Sequence, residues 1–330
     1  MVEKVWLVTG CSSGLGRKLI EAISKRGDKA VATARNISTI EDLKSSTVAT
    51  VQLDITASQD ELNQRAAEAV EAFGQVDVVV HNAGFMQMGT WEDLTPELVQ
   101  AQFATNFFGP MNLNVSFALS AFCAAFRSFA DFAHQRAILP HLRSRKTGTL
   151  VFVNSTSSWQ HFAGVSAYGA SKAALDRALD GLSREVGPAG IKTLSLDIGA
   201  FESSLILEHK APSNAPPSEH NSQLMDMLKS YLPYVHANPV IEVEKLANLV
   251  VDLVRGEGVA EGREIPLRFP VGPDDLWKEW SNEGTKHIPA ALPVGADALM
   301  YVKEVCQYNL RMVEQWEDVI KSADVKKPAA

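Results

Sequence analysis

Tyr168 and Lys172 stand four residues apart in Ser166-Ala167-Tyr168-Gly169-Ala170-Ser171-Lys172. In a helix that spacing sets the phenol and the ammonium one above the other on one face. A free tyrosine ionises near pH ~10 and is a poor base at neutral pH. A neighbouring ammonium favours the phenolate and brings the phenol within range of proton transfer to a carbonyl or alkoxide oxygen. Upstream, Thr149 to Val153 is a short apolar, β-branched run that predicts a buried strand. Ser155 then stands at the strand's C-terminal end, the edge where open α/β sheets bind ligands, in place to hold the reacting oxygen. Tyr-x-x-x-Lys by itself also describes an ordinary amphipathic helix face. Its context here is a strand-end serine thirteen residues earlier and a glycine-rich turn at the front of the chain.

That turn is Thr9-Gly10-Cys11-Ser12-Ser13-Gly14-Leu15-Gly16, between a predicted strand over Lys4 to Val8 and a helix that stops at Gly27. Strand, glycine turn and helix in this order let backbone N–H groups approach a pyrophosphate at a helix N-terminus. A second strand, Ala30 to Ala34, ends in Arg35, where an acidic residue would accept from an adenosine ribose and repel a 2′-phosphate. A guanidinium there can make charge-assisted bonds to that phosphate, which favours NADP(H) over NAD(H); a solvated surface charge is the rival role. Val48 to Leu53 reads as the third strand, followed by Asp54, and Val76 to Val80 as the fourth, followed by His81-Asn82-Ala83-Gly84. Thr95-Pro96 opens a helix that carries Asn106, an uncommon residue in a helix interior. The remaining elements are a helix over Glu242 to Arg255, a last strand over Arg263 to Leu267 and an amphipathic helix over Val302 to Ile320. His81 has no second ligand at metal-binding spacing, so no metal site is expected.

The glycine turn, Asn82-Ala83-Gly84, Asn106-x-x-Gly109, and Ser155 with Tyr168-x-x-x-Lys172 make the chain resemble the short-chain dehydrogenase/reductase family, in its fungal NADP-dependent form. The resemblance covers about residues 4 to 270. It implies a Rossmann-like, doubly wound, mostly parallel sheet in a single domain, and NADP(H)-dependent interconversion of a carbonyl and a secondary alcohol. On the family pattern Tyr168, Lys172, Ser155 and Asn106 are catalytic, Asn106 opening its helix to hold a water that links the lysine to solvent. Gly10, Ser12, Ser13, Gly14, Leu15 and Gly16 would hold the pyrophosphate, and Arg35 the 2′-phosphate. Asp54 would bond the adenine, with a helix N-cap as its competing role, and Asn82, Ala83 and Gly84 would pack the adenine ribose. Tyr168 and Lys172 would also touch the nicotinamide ribose. Phe201 and Ser203 keep the outline of the nicotinamide turn, where the family reads Asn-Pro-Gly and this chain reads Asp197-Ile198-Gly199. Trp159, His161, Phe162, Phe201 and Met86 could wall an apolar pocket for a sterol, retinoid, acyl or polyketide-like substrate, or could be core.

The 330 residues are 46% hydrophobic and 21% charged, enough for a large core, and the net charge of −8 argues against a nucleic-acid or anionic-membrane surface. Three separated cysteines and no apolar run of spanning length fit a protein of the reducing cytosol. Between Asn114 and Arg136, two stretches that would join into one helix, lie the 21 residues Val115 to Gln135, rich in Phe, Ala and Ser. As helix they would add roughly 30 Å, so the segment must loop out or break the element. Val115-Ser116 can be encoded by a donor-like GTAAGT and Gln135 by an acceptor CAG, so the segment is either a translated intron or a real excursion. In the resembling enzymes this helix lies in the subunit interface, so a homodimer or homotetramer is put in question. Leu205 to Pro239, with five prolines, reads as a substrate lid or a solvated excursion, and 271 to 330 as a C-terminal extension. Two other functions stay open: a non-catalytic dinucleotide-binding regulator, and an inactive isoform carrying the intron.

Overall fold

The computed structural model describes residues 2–114, 138–159, 163–199, 222–223, 226 and 241–271. Seven parallel strands form one sheet in the order β3-β2-β1-β4-β5-β6-β7. They are β1 (Val5–Val8), β2 (Lys29–Ala34), β3 (Val48–Gln52), β4 (Val78–His81), β5 (Gly148–Ser155), β6 (Ile191–Ile198) and β7 (Arg268–Val271). The order reverses between β1 and β4, which opens a crevice at their C-terminal ends. The connecting helices are α1 (Gly14–Lys25), α2 (Gln59–Phe73), α3 (Pro96–Phe103), α4 (Gly109–Asn114), α5 (Ile138–Arg145), α6 (Ser166–Val186) and α7 (Val243–Arg255). A π-helical turn, Ala104–Phe108, joins α3 to α4.

Apolar runs in the strands are explained by burial on both faces. Trp6, Val8, Val151 and Leu196 belong to one core with Leu19 and Ile23 of α1 and Leu246 and Val250 of α7. Leu7, Val79, Leu150 and Phe152 belong to the other with Leu62 of α2, Leu113 of α4, Leu142 of α5 and Leu175 and Leu179 of α6. Each such side chain, fully buried, contributes about 1.5–3 kcal/mol, so the sheet is fixed from both sides. The N-terminal end is tied down by charge: Asp28 accepts from Lys4 N at 2.9 Å and Trp6 Nε1 at 2.9 Å, and pairs with Arg255 of α7 at 2.5 Å.

Local signals set the helix ends. Ser58 caps α2 by accepting from Glu61 N at 3.3 Å, and Thr95 caps α3 by accepting from Leu98 N at 3.4 Å, with Pro96 inside the first turn. Asp54 is therefore not the α2 cap: its carboxylate closes a local turn on Thr56 N at 2.8 Å and Thr56 Oγ1 at 2.7 Å.

The last strand is displaced from the expected Arg263 to Leu267 to Arg268–Val271. A proline inside Phe269-Pro270-Val271 argues against a central strand, but β7 is the sheet's outer strand, where a missing N–H is tolerated. β6 runs to Ile198, so Asp197 and Ile198, expected in the nicotinamide turn, are ladder residues. The segment 115–135, Phe201, Ser203, His161, Phe162 and the helix over Val302 to Ile320 lie outside the described residues, as does the lid apart from 222–223 and 226. Among the described residues no helix is long and apolar enough to cross a membrane.

Candidate active site

The glycine turn leaves β1 at the crevice. Gly10 has φ +72° and Gly14 φ +52°, a left-handed backbone that glycine adopts without strain. Closeness decides the other glycine: a Cβ on Gly16 would stand 2.3 Å from Gly10 O and 2.6 Å from Asn82 Nδ2. Asn82 clasps the turn by donating from Nδ2 to Thr9 O at 2.8 Å and Gly10 O at 3.1 Å. Thr9 Oγ1 accepts from the N–H groups of Asn82 and Ala83, both at 3.0 Å. No acidic side chain stands in the first turn of α1. The result is a helix N-terminus with no side-chain cap, held against a tightly closed turn, an arrangement that suits a pyrophosphate. Ser12, Ser13, Leu15 and Ala83 belong to the same turn region. Arg35 sits exposed just past β2, and among the described residues no carboxylate pairs with its guanidinium. Asp54 lies past β3, at the same edge of the sheet.

Across the crevice, β5 ends on Ser155 and α6 begins at Ser166, so the strand delivers the serine and the first turns of the helix deliver Tyr168 and Lys172. The Ser155 hydroxyl stands close enough to the Tyr168 phenol to lower its proton affinity. Ser155 Oγ also accepts from Ser157 N at 3.1 Å. Gly169 lets α6 approach, since a Cβ there would lie 2.7 Å from Ser157 O. Lys172 Nζ donates to Val153 O at 2.8 Å and lies 5.9 Å from the centre of the Tyr168 ring.

The electrostatics of this chain differ from the expected ones. Burial pushes the Tyr168 phenol up to about 12, opposed by the Ser155 hydrogen bond, and no depression by Lys172 appears. Burial brings Lys172 down to about 8, with Asp197 acting the other way. Lys172 spends a donor on a backbone carbonyl rather than on the phenol, and both groups are 5% exposed, so loss of hydration outweighs their mutual attraction. Tyr168 is thus a neutral phenol, a proton donor, throughout the neutral range.

Asn106 lies in the π-helical turn, the local opening of the helix that the family pattern implies. Its side chain is fully engaged: Oδ1 accepts from Phe85 N at 3.1 Å, and Nδ2 donates to Phe85 O and Ser171 Oγ, both at 3.0 Å. Ser171 Oγ in turn donates to Tyr168 O at 2.7 Å. Asn106 and Ser171 therefore lock the loop after β4 to the first turns of α6. The role of Ser171 was hidden in the sequence, though a hydroxyl three residues after Tyr168 can bond back to its carbonyl. Gly84 completes the floor: a Cβ there would be 3.2 Å from Asn106 Oδ1 and 3.8 Å from Lys172 Nζ.

His81 is buried, stacked on Phe152 with ring centres 4.6 Å apart, and its Nε2 bonds Asn114 Oδ1 at 3.0 Å. Among the described residues no three His, Cys, Asp or Glu stand together as a metal site. Of the expected pocket wall, Trp159 is partly exposed beyond Ser155, while Met86 packs on Met88 and Val165.

Comparison with known proteins agrees with this geometry. The family described as short chain dehydrogenase matches residues 4–122 and 123–212, the break falling inside the stretch 115–135. An oxidoreductase of Botryotinia fuckeliana, BOA17, is 30% identical over 279 residues, covering 83% of this chain and 90% of that protein. The NADPH-dependent 1-acyldihydroxyacetone phosphate reductase of Schizosaccharomyces pombe is 28% identical over 300 residues, covering 88% and 90%. A solved short-chain dehydrogenase from Streptomyces avermitilis superposes with a TM-score of 0.65 at 28% identity, covering 97% of this chain and all of that one. With the parallel sheet, the glycine cradle and the paired serine and tyrosine in one crevice, these matches make the chain a member of the short-chain dehydrogenase/reductase family of oxidoreductases.

Proposed function

We propose that the protein is an NADP(H)-dependent reductase of apolar ketones, or the corresponding alcohol dehydrogenase, with Ser155, Tyr168 and Lys172 as its catalytic residues. The observation that carries this reading is the convergence of Ser155, from the end of β5, with Tyr168 and Lys172, from the first turns of α6, on one side of the crevice. A nicotinamide, when bound, supplies or accepts the hydride. In reduction the carbonyl oxygen is held by Ser155 Oγ, and Tyr168 donates its proton to that oxygen as negative charge develops there. Burial keeps the phenol protonated and so present as the acid, while making the proton harder to give up. In oxidation Tyr168 must first lose its proton, which burial opposes. Lys172 would hold the nicotinamide ribose and return a proton to Tyr168, while Asn106, through Ser171 and Phe85, keeps the loop and α6 in place.

Gly10 to Gly16 would hold the pyrophosphate, with Asn82 to Gly84 beside the adenine ribose and Asp54 toward the adenine. Arg35, exposed and without a carboxylate partner among the described residues, favours a 2′-phosphate and so NADP(H). The similarity to an NADPH-dependent 1-acyldihydroxyacetone phosphate reductase supports the cofactor and, of the substrate classes considered, one that carries an acyl chain. Phe201 and Ser203 would complete the nicotinamide site, and the core of about residues 4 to 270 would act as a single domain.

The test is Tyr168→Phe, assayed by NADPH consumption on a panel of apolar ketones. Turnover is expected to fall by roughly 10³-fold, with NADPH binding measured by fluorescence nearly unchanged. Turnover like that of the wild type in this variant would refute the assignment.

A further inference from the structure

Behind Lys172 lies a buried polar cluster that the proton transfer above does not use. β5 and β6 run in register, which places Asn154 beside Asp197 and Phe152 beside Ser195. Alternation turns these four toward α6: Phe152 belongs to the core of Leu175 and Leu179, whereas Val153, Leu196 and Ile198 belong to the core on the other face. Asp197 is 0% exposed. Its Oδ1 accepts from Ser195 Oγ at 3.0 Å and its Oδ2 has no partner. Asn154 is 3% exposed, and neither atom of its amide has a partner. Lys172 Nζ is anchored on the carbonyl of Val153, the residue just before Asn154. Asn154 is therefore next to both the anchor of the ammonium and the unpartnered carboxylate.

The charges around the cluster point the same way. On β7, Arg268 donates to Asp176 Oδ1 at 2.7 Å and Asp176 O at 2.9 Å, and pairs with Asp180 at 2.8 Å. Arg177 of α6 pairs with the same two carboxylates, at 3.8 Å and 3.3 Å. Arg268 and Arg177 thus pair with Asp176 and Asp180 and reach Asp197 only through space, while Asp197 in turn stabilises the proton of Lys172 through space. Burial raises the proton affinity of Asp197 above the ordinary carboxylate range and Asp176 adds to it, while Arg268, the Ser195 hydroxyl and Arg177 lower it. Tyr168 is neutral, and burial keeps His81 of β4 neutral above about 4. A buried carboxylate without a cation costs several kcal/mol, so the arrangement is explained if the lysine and the carboxylate hold each other's charge.

Resting on the catalytic reading of Lys172, we propose that Asp197 is the counter-charge of the catalytic lysine, a positioning residue which keeps Lys172 protonated during the reaction. Where the family reads asparagine this chain carries a carboxylate, so the device belongs to this chain's own sequence.

The experiment follows the Lys172 side chain by NMR in the full-length protein labelled at the lysine ε-carbons, with Lys172→Arg assigning the signal. In Asp197→Asn the titration midpoint is expected to fall so that proton affinity drops about tenfold, and the alkaline limb of ketone reduction falls with it. Asp197→Glu is expected to move both back toward the wild type. Ser195→Ala removes the hydroxyl that supports the carboxylate and should produce a smaller fall in the same direction. An unmoved or raised Lys172 midpoint in folded Asp197→Asn overturns the proposal. If that variant does not fold, an unmoved midpoint in Ser195→Ala does so. The midpoint needs no turnover: a chain inactive on every ketone whose Lys172 midpoint still falls refutes the reductase reading and leaves the coupling standing.

Discussion

The two sides of the crevice are built by different means. On the β1 side the polar groups of the turn are spent on one another: Thr9 serves two N–H groups, and Asn82 serves two carbonyls. Shape there comes from backbone, and Gly16 is glycine because Gly10 O occupies the place of a side chain. On the β5–β6 side, buried polar atoms remain without partners on Asn154, Ser158, Trp159 and Asp197. Native proteins bury few such atoms, because each costs about 1–3 kcal/mol. The contrast teaches a division of labour: one wall has its polar groups spent, as the proposed anion site would need, and the other keeps unspent hydrogen-bonding and charge capacity beside the proposed proton transfer.

The sharpest way to break that contrast is Gly16→Ala. If the turn is rigid it must open, costing about 1–3 kcal/mol of stability and lowering NADPH affinity by roughly 100-fold; calorimetry and fluorescence titration read the two. An alanine accepted with full affinity would mean the cradle yields. Arg35→Ala leaves the turn intact and removes one outlying cation. It should weaken NADPH by roughly tenfold, as loss of a charge-assisted bond implies, and leave NADH unchanged, which a pair of titrations decides.

The opposite wall should instead answer to pH. Lys172, lowered to about 8, loses its proton as pH rises through that value, so reduction should decline above it while Tyr168, near 12, stays protonated. Lys172→Arg keeps the charge, and the limb should move beyond pH 9 in the residual activity; a limb that stays near 8 belongs to another group. The smallest effect is expected at His81, under the β4–β5 junction. Its folded value is about 4 against 6.5 unfolded, so the unfolded chain binds more protons between those values and stability is lost as pH falls through that window. His81→Asn should flatten the acid limb of urea stability by about 1–3 kcal/mol at pH 4.

Local spacing made most of the site legible. The glycine turn needs its residues within one stretch of eight, and Tyr168 and Lys172 need one helical turn, so sequence alone reveals both. The doubly wound parallel sheet was implied by the resemblance that these motifs carry. What was not legible is non-local. Asn154 meets Asp197 only because β5 and β6 are in register, and Arg268 meets Asp176 only because β7 lies beside β6 under α6. The sign of the Tyr168 shift also escaped: helix spacing reveals the ammonium's nearness, whereas the outcome depends on how completely both groups are withdrawn from water. The last strand was missed because proline reads as an interruption until the strand is known to be outermost.

That proline has a consequence of its own. Ser195 N donates to Leu267 O at 2.7 Å and Gly199 N to Val271 O at 2.8 Å, so the odd-numbered residues of β7 turn their polar backbone toward β6 and Pro270 turns outward. The outward position lacks a donor at a place where a stray extended peptide would seek one, and the sheet is thereby guarded against adhesive growth from molecule to molecule.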